Sequence, residues 1–138
     1  GPGMSPDDQR VIPRFLKSIA RGEPLTIYGD GAQTRTFCYI DDLIQGLELV
    51  MAKGKQGEVY NIGSGRPIAI RELAELVIQL TGHPHGVTFT PHFIKDHHHR
   101  KPSLARVRSL GWHEPIHLTE GLKRIIAAWG IPRVMSYE

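Results

Sequence analysis

Apolar residues recur along this chain at two spacings, and the places where one gives way to the other divide it into alternating helices and strands. After the turn-like Ser5-Pro6-Asp7-Asp8, the residues Ile12, Phe15, Leu16, Ile19 and Ala20 predict an amphipathic first helix. Pro13 fits only in its first turn, and Gly22 and Pro24 stop it. Leu25 to Tyr28 is a run of β-propensive residues and reads as a strand. Gly29-Asp30-Gly31 is a strong turn signal, so a second strand, about Thr36 to Ile40, is predicted to pair locally with the first. Asp41 or Asp42 then caps a helix whose buried face is Leu43, Ile44, Leu47, Val50 and Met51, ended by Gly54 and Gly57.

Val59 to Ile62 reads as a short strand closed by Gly63-Ser64-Gly65. From Ile70 to Leu80 the period returns to that of a helix, with Leu73, Ala74, Val77 and Leu80 inward and Gly82 as its stop. Val87 to Thr90 is a further strand, Pro91 to Pro102 an irregular loop, and Pro102 opens a short helix through Leu110. The last helix has the clearest period, with Leu118, Leu122, Ile125, Ile126 and Trp129 on one side. Thr119 to Gly121 starts it and Gly130 to Pro132 ends it. No repeat, low-complexity tract or linker interrupts the pattern. It predicts one α/β unit over residues 1–138, built of short strands and five helices.

Composition narrows the function classes. A chain of 138 residues, 40% of them hydrophobic, can bury one real core and is too short for two ordinary domains. Its 17 basic and 14 acidic residues are scattered, so the net charge of +3 is a mild bias toward anionic ligands. No basic block points to a nucleic-acid partner. Cys38, the lone cysteine, cannot form an internal disulfide, and its place in Phe37-Cys38-Tyr39 reads as a buried thiol in a reducing, cytoplasmic setting. No apolar run approaches the roughly 18 residues of a membrane span, and no signal peptide is visible at the start. Gly1-Pro2-Gly3 reads equally as a tag remnant or as native sequence.

Taken residue by residue, the candidate chemistry is modest. Arg35 reads as a solvated strand-edge arginine and Tyr28 as a ring packed at a strand end. Gly63-Ser64-Gly65 is followed by Arg66-Pro67, not by a helix start with Lys-Ser or Lys-Thr, so a turn accounts for it better than a phosphate loop. Helix capping explains Asp41-Asp42 better than paired catalytic carboxylates. His97, His98 and His99, with His92 and Asp96, invite a zinc reading. Adjacent loop residues rarely converge on one metal, however, and no cysteine or helical H-x-x-x-H framework supports them, so no metal site is assigned. His83, His85, His113 and His117 fall in turns and are expected to face solvent. No strand runs into a G-x-G-x-x-G turn, which leaves no obvious place for a dinucleotide.

A family resemblance changes this picture. Asp7-Asp8-x-Arg10-Val11-Ile12, Gly22-Glu23-Pro24-Leu25-Thr26, Tyr28-Gly29-Asp30-Gly31, Gln33-Thr34-Arg35, Phe37 and Asp41-Asp42-Leu43 together resemble the extended short-chain dehydrogenase/reductase family of sugar-nucleotide enzymes. The match continues through Asn61-Ile62-Gly63, Arg100-Lys101-Pro102, Leu110-Gly111-Trp112 and Glu120-Gly121-Leu122, so it covers nearly the whole chain. Its wording is most similar to UDP-glucuronate decarboxylases, with UDP-sugar 4-epimerases close behind and 4,6-dehydratases as a further possibility. Such enzymes bind NAD through an N-terminal Rossmann domain that also carries a catalytic Tyr-x-x-x-Lys pair. Neither is present here, so the resemblance implies a C-terminal, substrate-binding part with no catalytic residue and no NAD of its own.

The resemblance also assigns roles. Arg35 and Arg100 are expected on the diphosphate of a UDP-sugar, since a guanidinium is always charged and bonds phosphate oxygens bidentately. Thr26 and Tyr28 would frame the uracil, Gln33 would lie beside Arg35, and Val11 would offer a helix-start N–H to the nucleotide. Ser103 stands where the family usually has an aspartate accepting from ribose hydroxyls, and serine is a poorer acceptor. The other class of function is a non-catalytic binding or assembly module. An apolar face normally covered by the Rossmann half would then favour self-association.

Overall fold

A computed structural model describes residues 1–91 and 101–132. In order, the elements are α1 (Val11–Ala20), β1 (Leu25–Tyr28), β2 (Thr34–Thr36), α2 (Ile40–Lys53), β3 (Pro67–Ala69), α3 (Ile70–Thr81), β4 (Val87–Thr90), α4 (Ala105–Ser109) and α5 (Leu118–Ala128). The α/β class with five helices is as expected, and α1, β1, β4 and α5 occupy their predicted stretches. α3 ends against Gly82, whose φ of 66° is a left-handed stop that costs glycine nothing. Its start is tied by the Glu72 carboxylate, which accepts from the Ala69 N–H at 3.1 Å.

The strand pairing differs from the local hairpin read from the sequence. β1 runs parallel to β4, with Leu25 opposite Val87 and Tyr28 opposite Thr90, while β2 is antiparallel to β3, with Arg35 opposite Ile68. The turn between β1 and β2 explains why. Gly29 (φ 70°) donates to the Thr90 carbonyl at 2.9 Å and so prolongs the parallel ladder. Gly31 (φ 74°) then accepts from the Arg71 N–H at 3.0 Å, which carries the chain across to the start of α3 and not back along β1. β2 accordingly begins and ends earlier than the predicted Thr36 to Ile40.

Two clusters of buried residues hold these elements. The larger joins Phe15 and Leu16 of α1, Leu25 and Ile27 of β1, Leu73, Ala74 and Val77 of α3, and Leu122 and Ile126 of α5. Each of these large side chains is sealed from water, which contributes roughly 1.5 to 3 kcal/mol apiece. The smaller cluster gathers Leu104, Val107 and Trp112, with Leu49, Val50 and Ile62 packed against it.

α2 departs furthest from its predicted orientation. Its fully buried positions are Asp42 and Gly46, whereas Ile44, Leu47 (50% exposed) and Met51 (87% exposed) face outward. The capping prediction also fails, because the N-cap is Tyr39 without a side-chain bond and both aspartates lie within the first turn. There their charges still complement the helix dipole. Val59 to Ile62 pairs with no strand among the described residues, and Val59 is 72% exposed. The short helix starts at Ala105, not at Pro102. His83 is buried, not solvent-facing, and its Nε2 donates to the Glu23 carbonyl at 2.9 Å.

Candidate functional site

The exposed flank of β1 and the first turns of α1 enclose a cavity of about 320 Å3. β1 alternates, so Leu25 and Ile27 enter the core while Thr26 and Tyr28 turn toward the cavity. The same alternation governs the main chain, and the Thr26 and Tyr28 carbonyls are met by side chains. Arg14 Nη2 donates to the first at 3.0 Å and Gln33 Nε2 to the second at 2.8 Å. Gln33 and Arg35 reach the same wall because Gly31 redirects the chain, and the Gln33 carbonyl accepts from the Ile70 N–H at 3.0 Å. Val11 lines the cavity as the first residue of α1, where the helix leaves N–H groups without internal acceptors.

Among the described residues, three guanidinium groups line this cavity, from Arg10, Arg14 and Arg35, and no carboxylate does. Arg35 Nη1 donates to the Thr34 carbonyl at 2.7 Å, which fixes one end of its fork. Arg10 is paired with Asp8, and its hydrogen bonds hold the Asp8 carboxyl below the usual carboxylate range. The Arg14 guanidinium carbon sits 4.3 Å from the centroid of the Tyr28 ring, within cation–π range. An ensemble of fixed guanidinium donors beside a half-open aromatic ring suits a ligand with a phosphate group and a flat base.

Of the site residues predicted from sequence, Val11, Thr26, Tyr28, Gln33 and Arg35 meet here. Ser103 does not. It lies near the smaller core, where its carbonyl accepts from Asn61 Nδ2 at 3.2 Å. Arg100 and the histidines at 97–99, with His92 and Asp96, lie outside the described residues. Among the described residues no group of three metal-ligating side chains occurs. Sequence reasoning missed Arg14. The sequence shows only that Arg14 follows Val11 by three residues and so shares that face of α1, and its contacts with Thr26 and Tyr28 come from the packing of α1 on β1.

A larger hollow of about 590 Å3 opens on the other side of Thr36 and Phe37, between the N-terminal turn and α5. Its walls are mostly apolar, among them Met4, Tyr39, Leu43 and Leu122, and Arg10 is its one arginine among the described residues. The charge that could hold an anion is concentrated in the smaller cavity. Cys38 borders the hollow and is half-buried, less than predicted. Burial pushes its thiol up to about 11, with the Asp42 and Glu114 charges adding to the effect, so it is no nucleophile at neutral pH.

Asp42 and Glu114 act as fasteners for the segment behind β2. Asp42 Oδ2 accepts from the Ile116 N–H at 3.0 Å, and the Trp112 indole N–H donates to the Asp42 carbonyl at 2.9 Å. Glu114 accepts from the Gly65 N–H at 3.0 Å and pairs with Arg66 and Arg108. The Gly63-Ser64-Gly65 turn is thus tied to a carboxylate, which argues against a phosphate there.

Among the described residues the two sheets have two strands each, and neither strand of the parallel pair enters a helix through a glycine-rich turn of the kind that holds a dinucleotide.

Residues 1–63 match the model of the NAD dependent epimerase/dehydratase family. The chain is 38% identical over 128 residues to UDP-glucuronic acid decarboxylase 1 of Arabidopsis thaliana, covering 92% of this chain and 29% of that protein. It therefore spans less than a third of that relative's length. Among solved structures it is similar to UDP-glucose 4-epimerase of Thermotoga maritima with UDP-glucose, at a TM-score of 0.88 and 31% identity over 94% of this chain and 42% of the other. It is likewise similar to UDP-glucuronic acid 4-epimerase of Bacillus cereus in complex with UDP-glucuronic acid and NAD, at a TM-score of 0.82 and 28% identity, covering 94% and 42% of the two chains. With β1, the glycine turn and the arginine cavity in the matched part, the chain belongs to the NAD dependent epimerase/dehydratase family and is similar to a portion of the UDP-glucuronic acid decarboxylases.

Proposed function

We propose that this chain is the UDP-sugar-binding portion of an NAD-dependent sugar-nucleotide enzyme, of the UDP-glucuronate decarboxylase type. The observation that carries this reading is the cavity lined, among the described residues, by three arginines and no carboxylate, with the Tyr28 ring on its wall. Arg35 holds the diphosphate, with Arg100 as its partner. Thr26 and Tyr28 frame the base, Gln33 supports that wall, and the Val11 N–H meets the nucleotide from α1. Ser103 would reach the ribose only through a different arrangement from the one observed.

NAD and the catalytic groups belong to a dinucleotide-binding region outside these residues. The outward apolar face of α2 and the unpaired stretch Val59 to Ile62 are the surfaces such a region would cover. A reducing, cytoplasmic setting suits the lone Cys38. The likeness to 4-epimerase structures supports a second reading, a 4-epimerase acting on the same class of substrate. The reaction product of the full-length enzyme on UDP-glucuronate separates the two, since only the decarboxylase releases carbon dioxide.

Calorimetric titration of this chain with UDP-glucuronate, UDP-xylose and NAD tests the binding role. Both UDP-sugars are expected to bind and NAD is not. Binding of NAD, or no heat with either UDP-sugar at millimolar concentration, would overturn it.

A further inference from the structure

Arg14 touches two separate parts of the cavity wall at once. From α1 its Nη2 donates to the Thr26 carbonyl, while its guanidinium carbon lies over the Tyr28 ring, 4.3 Å from the centroid. Thr26 and Tyr28 are the two residues of β1 that turn away from the core, so one side chain grips both cavity-facing positions of that strand. Tyr28 is the last residue of β1 and is 40% exposed, and immediately after it the chain bends at Gly29. A ring in that place has two rotatable bonds, and the Arg14 contact gives its face a partner fixed to α1.

We propose that Arg14 is a positioning residue that sets the Tyr28 ring as a rigid shelf for the base of a bound nucleotide. This rests on the UDP-sugar reading above and extends it to how the base, and not the diphosphate, is held. The guanidinium is suited to the task because its fork can donate in its own plane to Thr26 while its face stacks on the ring. A lysine ammonium retains the charge but cannot do both. Prepaying the order of the ring lowers the cost of binding the base, so the effect is specific to ligands that carry one.

The test is a calorimetric comparison of UDP and inorganic pyrophosphate on the full chain, using wild type, Arg14→Met, Arg14→Lys, Tyr28→Leu and the Arg14→Met/Tyr28→Leu double variant. Thermal unfolding establishes that each is folded. Arg14→Met is expected to weaken UDP about three- to tenfold and to leave pyrophosphate nearly unchanged, with Arg14→Lys between it and wild type. The double variant should bind UDP no more weakly than Tyr28→Leu alone, because Arg14 acts through that ring. Equal loss for UDP and pyrophosphate would make Arg14 a phosphate ligand and overturn the inference, as would fully additive losses in the double variant. Unchanged UDP binding in Arg14→Met, with wild type binding normally, removes this inference and leaves the UDP-sugar reading standing. Failure of wild type to bind UDP removes both.

Discussion

Replacing Gly46 by alanine sets two effects of opposite sign against each other. Gly46 lies in the middle of α2, where alanine is favoured over glycine by about 1 kcal/mol on helix propensity alone. In the folded chain a Cβ at this position would stand 2.6 Å from Ile62 Cγ2 and 2.9 Å from Trp112 Nε1. Neither neighbour can step aside freely. The Ile62 methyl is fixed to a branched Cβ, and the Trp112 ring is held by its N–H bond to the Asp42 carbonyl on the same helix. Overpacking of this kind costs about 1 to 3 kcal/mol, and losing the indole bond adds about 1 kcal/mol.

The clash outweighs the propensity, for a net loss of about 1 to 3 kcal/mol. With an unfolding entropy of about 2.1 cal/mol/K per residue, 138 residues give about 290 cal/mol/K. Each kcal/mol then moves Tm by about 3 to 4 °C. Gly46→Ala should therefore melt about 4 to 10 °C below wild type by circular dichroism, while Gln79→Ala on the exposed face of α3 should change little. An unchanged or raised Tm for Gly46→Ala would refute the packing of α2 against Trp112.

Cys38 makes stability fall in alkali. Its thiol is raised in the folded state to about 11 from an ordinary 9.0, so the folded chain retains a proton that the unfolded chain has lost. The contribution is complete below about pH 9 and disappears as pH rises through 11. Denaturant titrations at pH 8 and pH 10.5 should show a decline that Cys38→Ser lessens, and an identical decline in the variant would sink this assignment. The outward apolar face of α2 should drive weak self-association of the isolated chain. Light scattering over a concentration series should show growth in mass that Leu47→Glu suppresses. A monomer at every concentration would mean that this face is not sticky enough to need a cover.

Much of the chain was legible in its own residues. α1, α3 and α5 follow from apolar spacing because each lays one face on a single core, and for such a helix the period of the sequence is the period of burial. The stretch from Tyr28 to Arg35 was recognisable for another reason. Its glycines at positive φ and its arginine are local requirements of a turn that ends at a charged wall, and local requirements leave residue types at set positions.

The tertiary structure alone decided the rest. Gly29-Asp30-Gly31 permits a hairpin, but pairing of β1 depends on Val87–Thr90 and on Arg71, which are far away in sequence, and their hydrogen bonds outcompete the local partner. The outward face of α2 has the apolar spacing of a buried one, since that spacing records that a face is covered without recording by what. Within these residues the covered side is instead the narrow one at Asp42 and Gly46, where a small residue and a carboxylate admit Trp112 and Ile116. Arg14 belongs to the same class. Its role arises from a crossing of helix and strand that brings one guanidinium to a carbonyl and a ring 12 and 14 residues further along the chain, and no local pattern encodes that meeting.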